Sequence, residues 1–298
     1  ASYPSSVLMA AGPAIACQVK DLFLTTPSID GVVNDLTIAA AKIAGIEKVA
    51  KLGGAQAVAA FSYGTESIPK VDKIVGPGNA YVAEAKRQLF GTVGIDSIAG
   101  PSEIIVLANE TSSPEIVAWD LMAQAEHDQD ASSILICNSN EVIEEIKQII
   151  ENEVPKLERA KIIKSSLINN GLIIKVESLE QSIEIVNRFS PEHLHLAFDD
   201  NEIDPNDLIA GIVLLGSDSA VSFSDYVLGP SHILPTNGSS RYSSPLSVED
   251  FIVSSTKVNM QIQNEKIKFN ELIDNTSLIA RAEGLTAHAI AVEKRKKH

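Results

Sequence analysis

The sequence predicts an α/β fold: two units of alternating strands and helices, followed by a helical tail. Three observations predict it. Short apolar runs alternate with stretches of helical period, the pattern of βα units laid into a largely parallel sheet. The chain has 298 residues, 45% of them hydrophobic, enough for a core spanning about two domains. After Pro245 the alternation stops, and the remaining residues lack the strands for a sheet of their own.

The first unit opens with the strand "DLFLTT" and a helix in "IDGVVNDLTIAAAKIAG" closed by Gly45. "KVAKL" reads as a strand, with "GGAQAVAAFSYG" its Gly-led turn and helix. "KVDKIVGPGNAYVAEAKRQLFG" repeats strand, glycine turn and helix, which completes residues 1–101. The second unit, 102–248, starts with the strand "EIIVLAN". Its first helix, "SPEIVAWDLMAQAEH", has Ser113 as N-cap and Pro114 at its first position. "SSILIC" and "NEVIEEIKQIIENEV" continue the alternation, as do "GLIIKV" and "SLEQSIEIVNRF", before the strands "HLHLAF" and "GIVLLG". Residues 249–298 form the tail, whose helical apolar stripe predicts packing on a partner and hence an oligomer.

Charge and composition exclude several classes. Twenty-four Lys and Arg against 39 Asp and Glu leave a net charge of −15, which repels phosphate backbones and argues against a nucleic-acid partner. The basic end "EKRKKH" reads as a solvated helix end. No apolar run reaches the roughly 18 residues of a bilayer span, so no membrane role is expected. The opening "ASYPSSVLM" has neither the basic nor the apolar region of a signal peptide. It also lacks an initiator Met, as a piece of a longer protein would. Cys17 and Cys137 are far apart without C-x-x-C spacing, which suits reduced core thiols in the cytoplasm.

Five constellations carry possible chemistry. In "VGPGNAY", Gly76 and Gly78 permit a tight turn and Asn79 sits where a helix N-cap belongs, ahead of free N–H groups that attract anions. "GGAQ", Gly53 to Gln56, repeats that geometry. Two such turns at strand C-termini of one open sheet suit a nucleotide-sized ligand, although Tyr81 breaks the G-x-G-x-x-G pattern. In "LMAQAEHDQDAS", Gln124 and His127 share a helix face and can reach one metal ion. In "SPEHLHLAF", Pro191 ends a helix and places Glu192 and His193 at the start of a strand, with His193 and His195 on one face and Leu194 and Leu196 on the other. A Glu–His pair there suits general base work.

The fourth constellation is "SDYVLGPSHILPT", with Asp225 and His232; the fifth is "RAEGLTAHAIA", with Glu283 and His288. Taken singly, each also matches a capped turn, a helix-end histidine or a surface pair. Their distribution is what joins them, since no histidine precedes residue 127 and four of six stand with Gln, Glu or Asp in otherwise apolar or turn segments. That distribution points to a metal or acid–base site built from the second unit and the tail. Spacing alone selects neither the metal nor the reaction.

The segment Ile95 to His127, "IDSIAGPSEIIVLANETSSPEIVAWDLMAQAEH", resembles the signature segment of the histidinol dehydrogenase family, opening on I-D-x-x-A-G-P-S-E and closing on Q-A-E-H. The resemblance continues in order through "GGAQAVAA", "KVDKIVGPGNAYVAEAKRQ", "SPEHL", "SDYVLGPSHILPT" and "GLTAHAIAV". It implies two incomplete Rossmann-like α/β domains with a helical tail, in a domain-swapped homodimer whose sites are shared between subunits. It also implies oxidation of L-histidinol to L-histidine through bound L-histidinaldehyde, with two NAD+ and one zinc per subunit.

Carried over residue by residue, the resemblance makes Gln124, His127, Asp225 and His288 zinc ligands that also contact substrate. It makes Glu192 and His193 the catalytic pair. Ser102, His193, His232 and Glu283 match substrate-contacting positions, and Gln56 and Asn79 match NAD-contacting ones. This sequence departs from the family at its start, since family chains begin well upstream. The upstream segment completes the domain that here begins at Ser102, and carries a Tyr in a Y-x-P-G-G motif that helps hold NAD. On the residues alone two other readings stand: zinc-dependent hydrolysis, which the absence of H-E-x-x-H disfavours, and a non-enzymatic assembly module.

Overall fold

The computed structural model describes residues 3–198, 203–260 and 266–296. It begins with helix α1 (Pro4–Ala16), strand β1 (Phe23–Thr25) and helix α2 (Asp35–Ile43). Helix α2 starts later than the periodicity suggests, because the Asn34 side chain accepts from the Leu36 N–H and fixes the first turn there. Then come β2 (Lys48–Ala50), α3 (Ala55–Tyr63), β3 (Lys73–Ile74), α4 (Ala80–Leu89) and β4 (Gly94–Ile95). Strands β1 and β2 pair in parallel, as do β3 and β4, but they form separate two-stranded sheets. The two glycine turns therefore leave strands of different sheets and not of one open sheet. At two or three residues each, these strands are too short to extend a common ladder.

The larger sheet is built from β5 (Glu103–Ala108), α5 (Pro114–Ala125), β6 (Ser132–Cys137), α6 (Asn140–Glu153), α7 (Ala160–Asn170), β7 (Gly171–Lys175), α8 (Leu179–Phe189), β8 (His193–Leu196), β9 (Ile212–Leu215) and α9 (Val221–Tyr226). All pairings are parallel, in the order β7-β6-β5-β8-β9. The chain steps outward from β5 to β7, then returns to lay β8 on the other side of β5. Both faces are covered: Ile104, Val106, Leu121 and Ile146 belong to one buried cluster, and Ile105, Leu107, Val186 and Leu194 to the other. That burial explains why β5 reads as a continuous apolar run. Helix α7 went unread in the sequence because only Ile163 and Ser166 of it are buried, too few to print a clear stripe.

Residues Ala1–Ile252 form one compact unit and Val253–His298 another. The second contains α10 (Lys266–Ala282) and α11 (Thr286–Glu293). The tail reads as one helical stretch, but Gly284, with φ +77°, breaks it into two that pack on each other. Ser277 and Arg281 of α10 both bond Glu293 of α11. Lys297 and His298 of the basic end lie outside the described residues.

Candidate active site

Helix α5 runs antiparallel to β5, so its C-terminal turn returns to the sheet edge where the strands begin. The site gathers there, at the N-terminal ends of β5 and β8, and not at the strand C-termini where α/β ligands commonly bind. Gln124 lies in the last turn of α5, buried at 2% exposure, and His127 stands exposed just beyond the helix. The Arg159 guanidinium donates to the His127 carbonyl, fixing this turn.

Glu192 and His193 enter after a sharp corner. Ser190 ends α8 in the left-handed region, φ 51°, with its hydroxyl donating to the Asn187 carbonyl. Pro191 then starts the extended segment, so the helix closes at Phe189 with Ser190 as its cap before the proline. Glu192 and His193 are 5% and 4% exposed. Glu192 is fixed reciprocally with Glu103: the Glu103 N–H donates to Glu192 Oε2 at 2.9 Å, and the Glu192 N–H donates to Glu103 Oε1 at 3.2 Å. The Asn237 N–H also donates to Glu103 Oε1, at 2.9 Å.

His193 has distinct roles for its two nitrogens. Nδ1 faces the Glu103 carbonyl at 3.2 Å and Glu192 Oε2 at 3.5 Å. Both are acceptors, so Nδ1 carries the hydrogen. Nε2 points toward Asp225 Oδ1 at 3.8 Å, too far for a hydrogen bond, and is buried without a partner. The side-chain nitrogen of Gln124 is likewise buried and unpaired. A buried, unpaired imidazole nitrogen beside the Asp225 carboxylate suits a polar or cationic guest.

Electrostatics agree. Burial, the largest influence on His193, lowers its pKa, but the Glu192 charge and the contacts with Asp225 and Glu192 together push it up to about 10. Burial is also the largest influence on Asp225 and raises its pKa. The His193 contact and charge, with His127 and His232 nearby, reverse this and hold the carboxyl below the usual range. Glu103 is raised, first by burial, with the Glu192 charge adding to it.

His232 and Ser102 complete this edge of the sheet. His232 Nδ1 donates to the Asp225 carbonyl at 2.8 Å, leaving Nε2 to accept the Ser6 hydroxyl of α1 at 3.0 Å. Ser102 directly precedes β5, and its carbonyl accepts from the Ser132 N–H. His195 does not join the pair, although it shares the His193 face. It is fully buried, with Nε2 on the Gly216 carbonyl at 3.0 Å and Nδ1 2.7 Å from Asp120 of α5, a contact too bent to be a hydrogen bond. The structure thus brings together Gln124, His127, Glu192, His193, Asp225, His232 and Ser102. Glu283 and His288 are exposed on the separate C-terminal unit. Gln56 and Asn79 are exposed at the two glycine turns, and Asn79 caps α4 by accepting from the Val82 N–H.

Sequence reasoning missed Glu103, Ser6 and Asp120. An acid at the first position of the otherwise apolar "EIIVLA" was the available signal for Glu103. Gly211 is also required here: a Cβ would lie 2.6 Å from the Glu192 carbonyl oxygen. Gly211→Ala is expected to cost about 1–3 kcal/mol by overpacking and to displace Glu192 and His193. Urea unfolding alongside a turnover assay checks this, and wild-type behaviour in both would contradict it.

Among the described residues no three His, Cys, Asp or Glu side chains converge as a ready-made metal cage. The donor set nevertheless fits zinc in kind. Gln124 brings a buried, unpaired amide whose O and N are interchangeable in assignment, His127 an imidazole and Asp225 a carboxylate, all ligand types that zinc accepts.

Fold and site together describe an α/β protein with a buried Glu192–His193 pair beside Asp225. The family profile of histidinol dehydrogenase matches residues 1–296. A Pseudomonas fluorescens histidinol dehydrogenase is 47% identical over 296 residues, covering 99% of this chain and 66% of that protein. One from Oceanobacillus iheyensis is 46% identical over 300 residues, covering 100% of this chain and 69% of that one. The crystal structure of histidinol dehydrogenase from Elizabethkingia anophelis superposes with a TM-score of 0.90 at 37% identity, over 99% of this chain and 68% of that one. The chain belongs to the histidinol dehydrogenase family, and spans about two thirds of the length of these relatives.

Proposed function

We propose that the protein oxidises L-histidinol to L-histidine in two NAD+-dependent steps through bound L-histidinaldehyde, the last steps of histidine biosynthesis. The observation that carries this reading is His193, with Nδ1–H tied to Glu103 and Glu192 and an unpartnered Nε2 facing Asp225. That nitrogen accepts the alcohol proton as hydride leaves for NAD+. Glu192, fixed by the Glu103 N–H, then takes a proton from water as the water's oxygen adds to the aldehyde carbon. The resulting diol loses a second hydride to NAD+ and two protons, passed by the same pair to solvent, leaving the carboxylate. Burial of Glu192 and His193 keeps bulk water from the aldehyde between steps.

Gln124, His127 and Asp225 would hold zinc, with His288 supplied across a homodimer. When bound there, the metal would supply a Lewis-acid anchor for the substrate and a positive charge beside Asp225. Ser102, His232 and Glu283 would contact substrate. Opening that contact at His232 requires the Ser6 hydroxyl to move aside. Gln56 and Asn79 would contact NAD+, placing residues 1–101 on the cofactor side, 102–248 around the metal and 249–298 at the dimer contact. The net charge of −15 disfavours nucleic acid, and no helix among the described residues is long and apolar enough to cross a membrane. Cytoplasmic location agrees with two unpaired cysteines.

NADH formation from L-histidinol tests the proposal, with zinc added and then chelated. The expected result is two NADH per histidinol, lost on chelation and restored by zinc. No NADH from the protein at its natural length, with zinc present, would overturn it.

A further inference from the structure

Lys86 and Asp96 form a buried ion pair that the chemistry above does not use. Their side chains are 3% and 4% exposed, with Nζ 2.6 Å from Asp96 Oδ1. Removing two charges from water is costly unless they meet further partners. Here both do, and both further partners belong to one residue. Lys86 Nζ donates to the Gly76 carbonyl at 2.6 Å, and the Gly76 N–H donates to Asp96 Oδ2 at 2.7 Å. The ring is closed: ammonium, carboxylate and the two polar groups of Gly76.

Gly76 begins the exposed turn Gly76–Asn79 between β3 and α4, and its φ of +114° suits glycine. The far end of the turn is also fixed. Asn79 Oδ1 accepts from the Val82 N–H, and a Cβ on Gly78 would lie 2.4 Å from Val82 Cγ1, so the turn closes directly onto the helix. Lys86 projects from α4, the helix that this turn opens, and Asp96 follows β4. The clamp thus joins helix, turn and neighbouring strand. It also removes a tempting alternative. Lys86 and Arg87 are the basic residues of α4, yet Lys86 is buried on Asp96 and Arg87 is paired with Glu84 at 2.6 Å. The turn therefore presents backbone dipoles and Asn79 to a ligand, not a lysine.

We infer that Lys86 and Asp96 are positioning residues for dinucleotide binding: they hold Gly76 by both its polar groups and so preorganise the Gly76–Asn79 turn. This rests on the reading of that turn as the NAD+ site. A preorganised turn spares the ligand the ordering cost of a loose one, so its loss appears in cofactor affinity.

The test measures NAD+ dissociation constants by calorimetry without histidinol, steady-state constants and thermal midpoints, on the protein at its natural length. Asp96→Asn and Lys86→Met are each expected to weaken NAD+ about tenfold, the scale of one charge-assisted hydrogen bond, raising its KM while KM for histidinol and zinc content stay put. Either single change strands a buried charge and can impair folding. The paired change Lys86→Met with Asp96→Leu strands none, and is expected to keep the midpoint while still weakening NAD+. Tighter or unchanged NAD+ binding in Asp96→Asn, alongside weaker binding in Lys86→Met, would make Lys86 a direct phosphate ligand and overturn the inference. Unchanged affinity in the folded double variant would overturn it as well, reducing the pair to a stabilising contact. A wild-type protein that binds no NAD+ would instead overturn the reading of the turn itself.

Discussion

Replacing His193 with Gln is expected to lower turnover about 10²- to 10⁴-fold, the usual contribution of a positioned acid–base group. The imidazole is placed for one job, because its Nδ1 hydrogen is committed to the Glu103 carbonyl and Glu192 while Nε2 has no partner. Glutamine can keep a donor near Glu103 and fill the site, but it offers no titratable nitrogen. The loss should therefore fall on kcat with saturating histidinol and NAD+, and the fold should survive. NADH formation with the thermal midpoint as control checks this; turnover within tenfold of wild type would remove His193 from the proton transfer. Glu192→Gln should behave differently. It leaves the first oxidation partly intact and blocks hydration, so the aldehyde should accumulate as a substrate that wild-type protein consumes.

Much of this site was legible in the sequence because strand and helix periodicities are strict. The alternation in "HLHL" places Leu194 and Leu196 in one buried cluster and turns His193 and His195 the other way, as the structure has it. The three-residue step from Gln124 to His127 reads as one helical face, but α5 ends at Ala125 and His127 lies in the turn just beyond it, its N–H donating to the Gln124 carbonyl. What the sequence could not show was which strand lies beside which. Glu103 belongs to the site only because β8 returns next to β5, pairing Ile104 with His193 in register across some ninety residues of chain. Ser6 and His232 meet for a similar long-range reason. The separate β1–β2 and β3–β4 sheets were hidden because strands of two or three residues carry too few side chains to declare their partners. Lys86 was hidden differently. A lysine in "EAKRQ" reads as solvated helix surface, and only its closeness to Asp96 explains its burial.

The second large effect concerns pH. In protein freed of metal, His193 titrates at about 10 in the folded state, against an ordinary value near 6.5 when unfolded. A raised pKa means that the folded state holds the proton more tightly. The associated stability is therefore fully present below about pH 6.5, declines between 6.5 and 10, and is gone above 10. At 1.4 kcal/mol per pH unit the full span is about 5 kcal/mol at most, large beside the 5–15 kcal/mol of a typical domain. Chelator-treated protein unfolded in urea at pH 6.5, 8 and 9.5 should thus lose stability steadily. Asp225→Asn removes one of the two carboxylates that hold the proton, so it should flatten that slope while lowering stability at pH 6.5. Subtracting the two series cancels lysines and tyrosines that titrate in the same range. Parallel slopes would show that Asp225 does not govern the His193 proton. A flatter slope in the variant would show that the Asp225 charge helps to hold the His193 proton, so that a cation bound beside Asp225 would lower the His193 pKa and favour the free Nε2 that accepts the substrate alcohol proton.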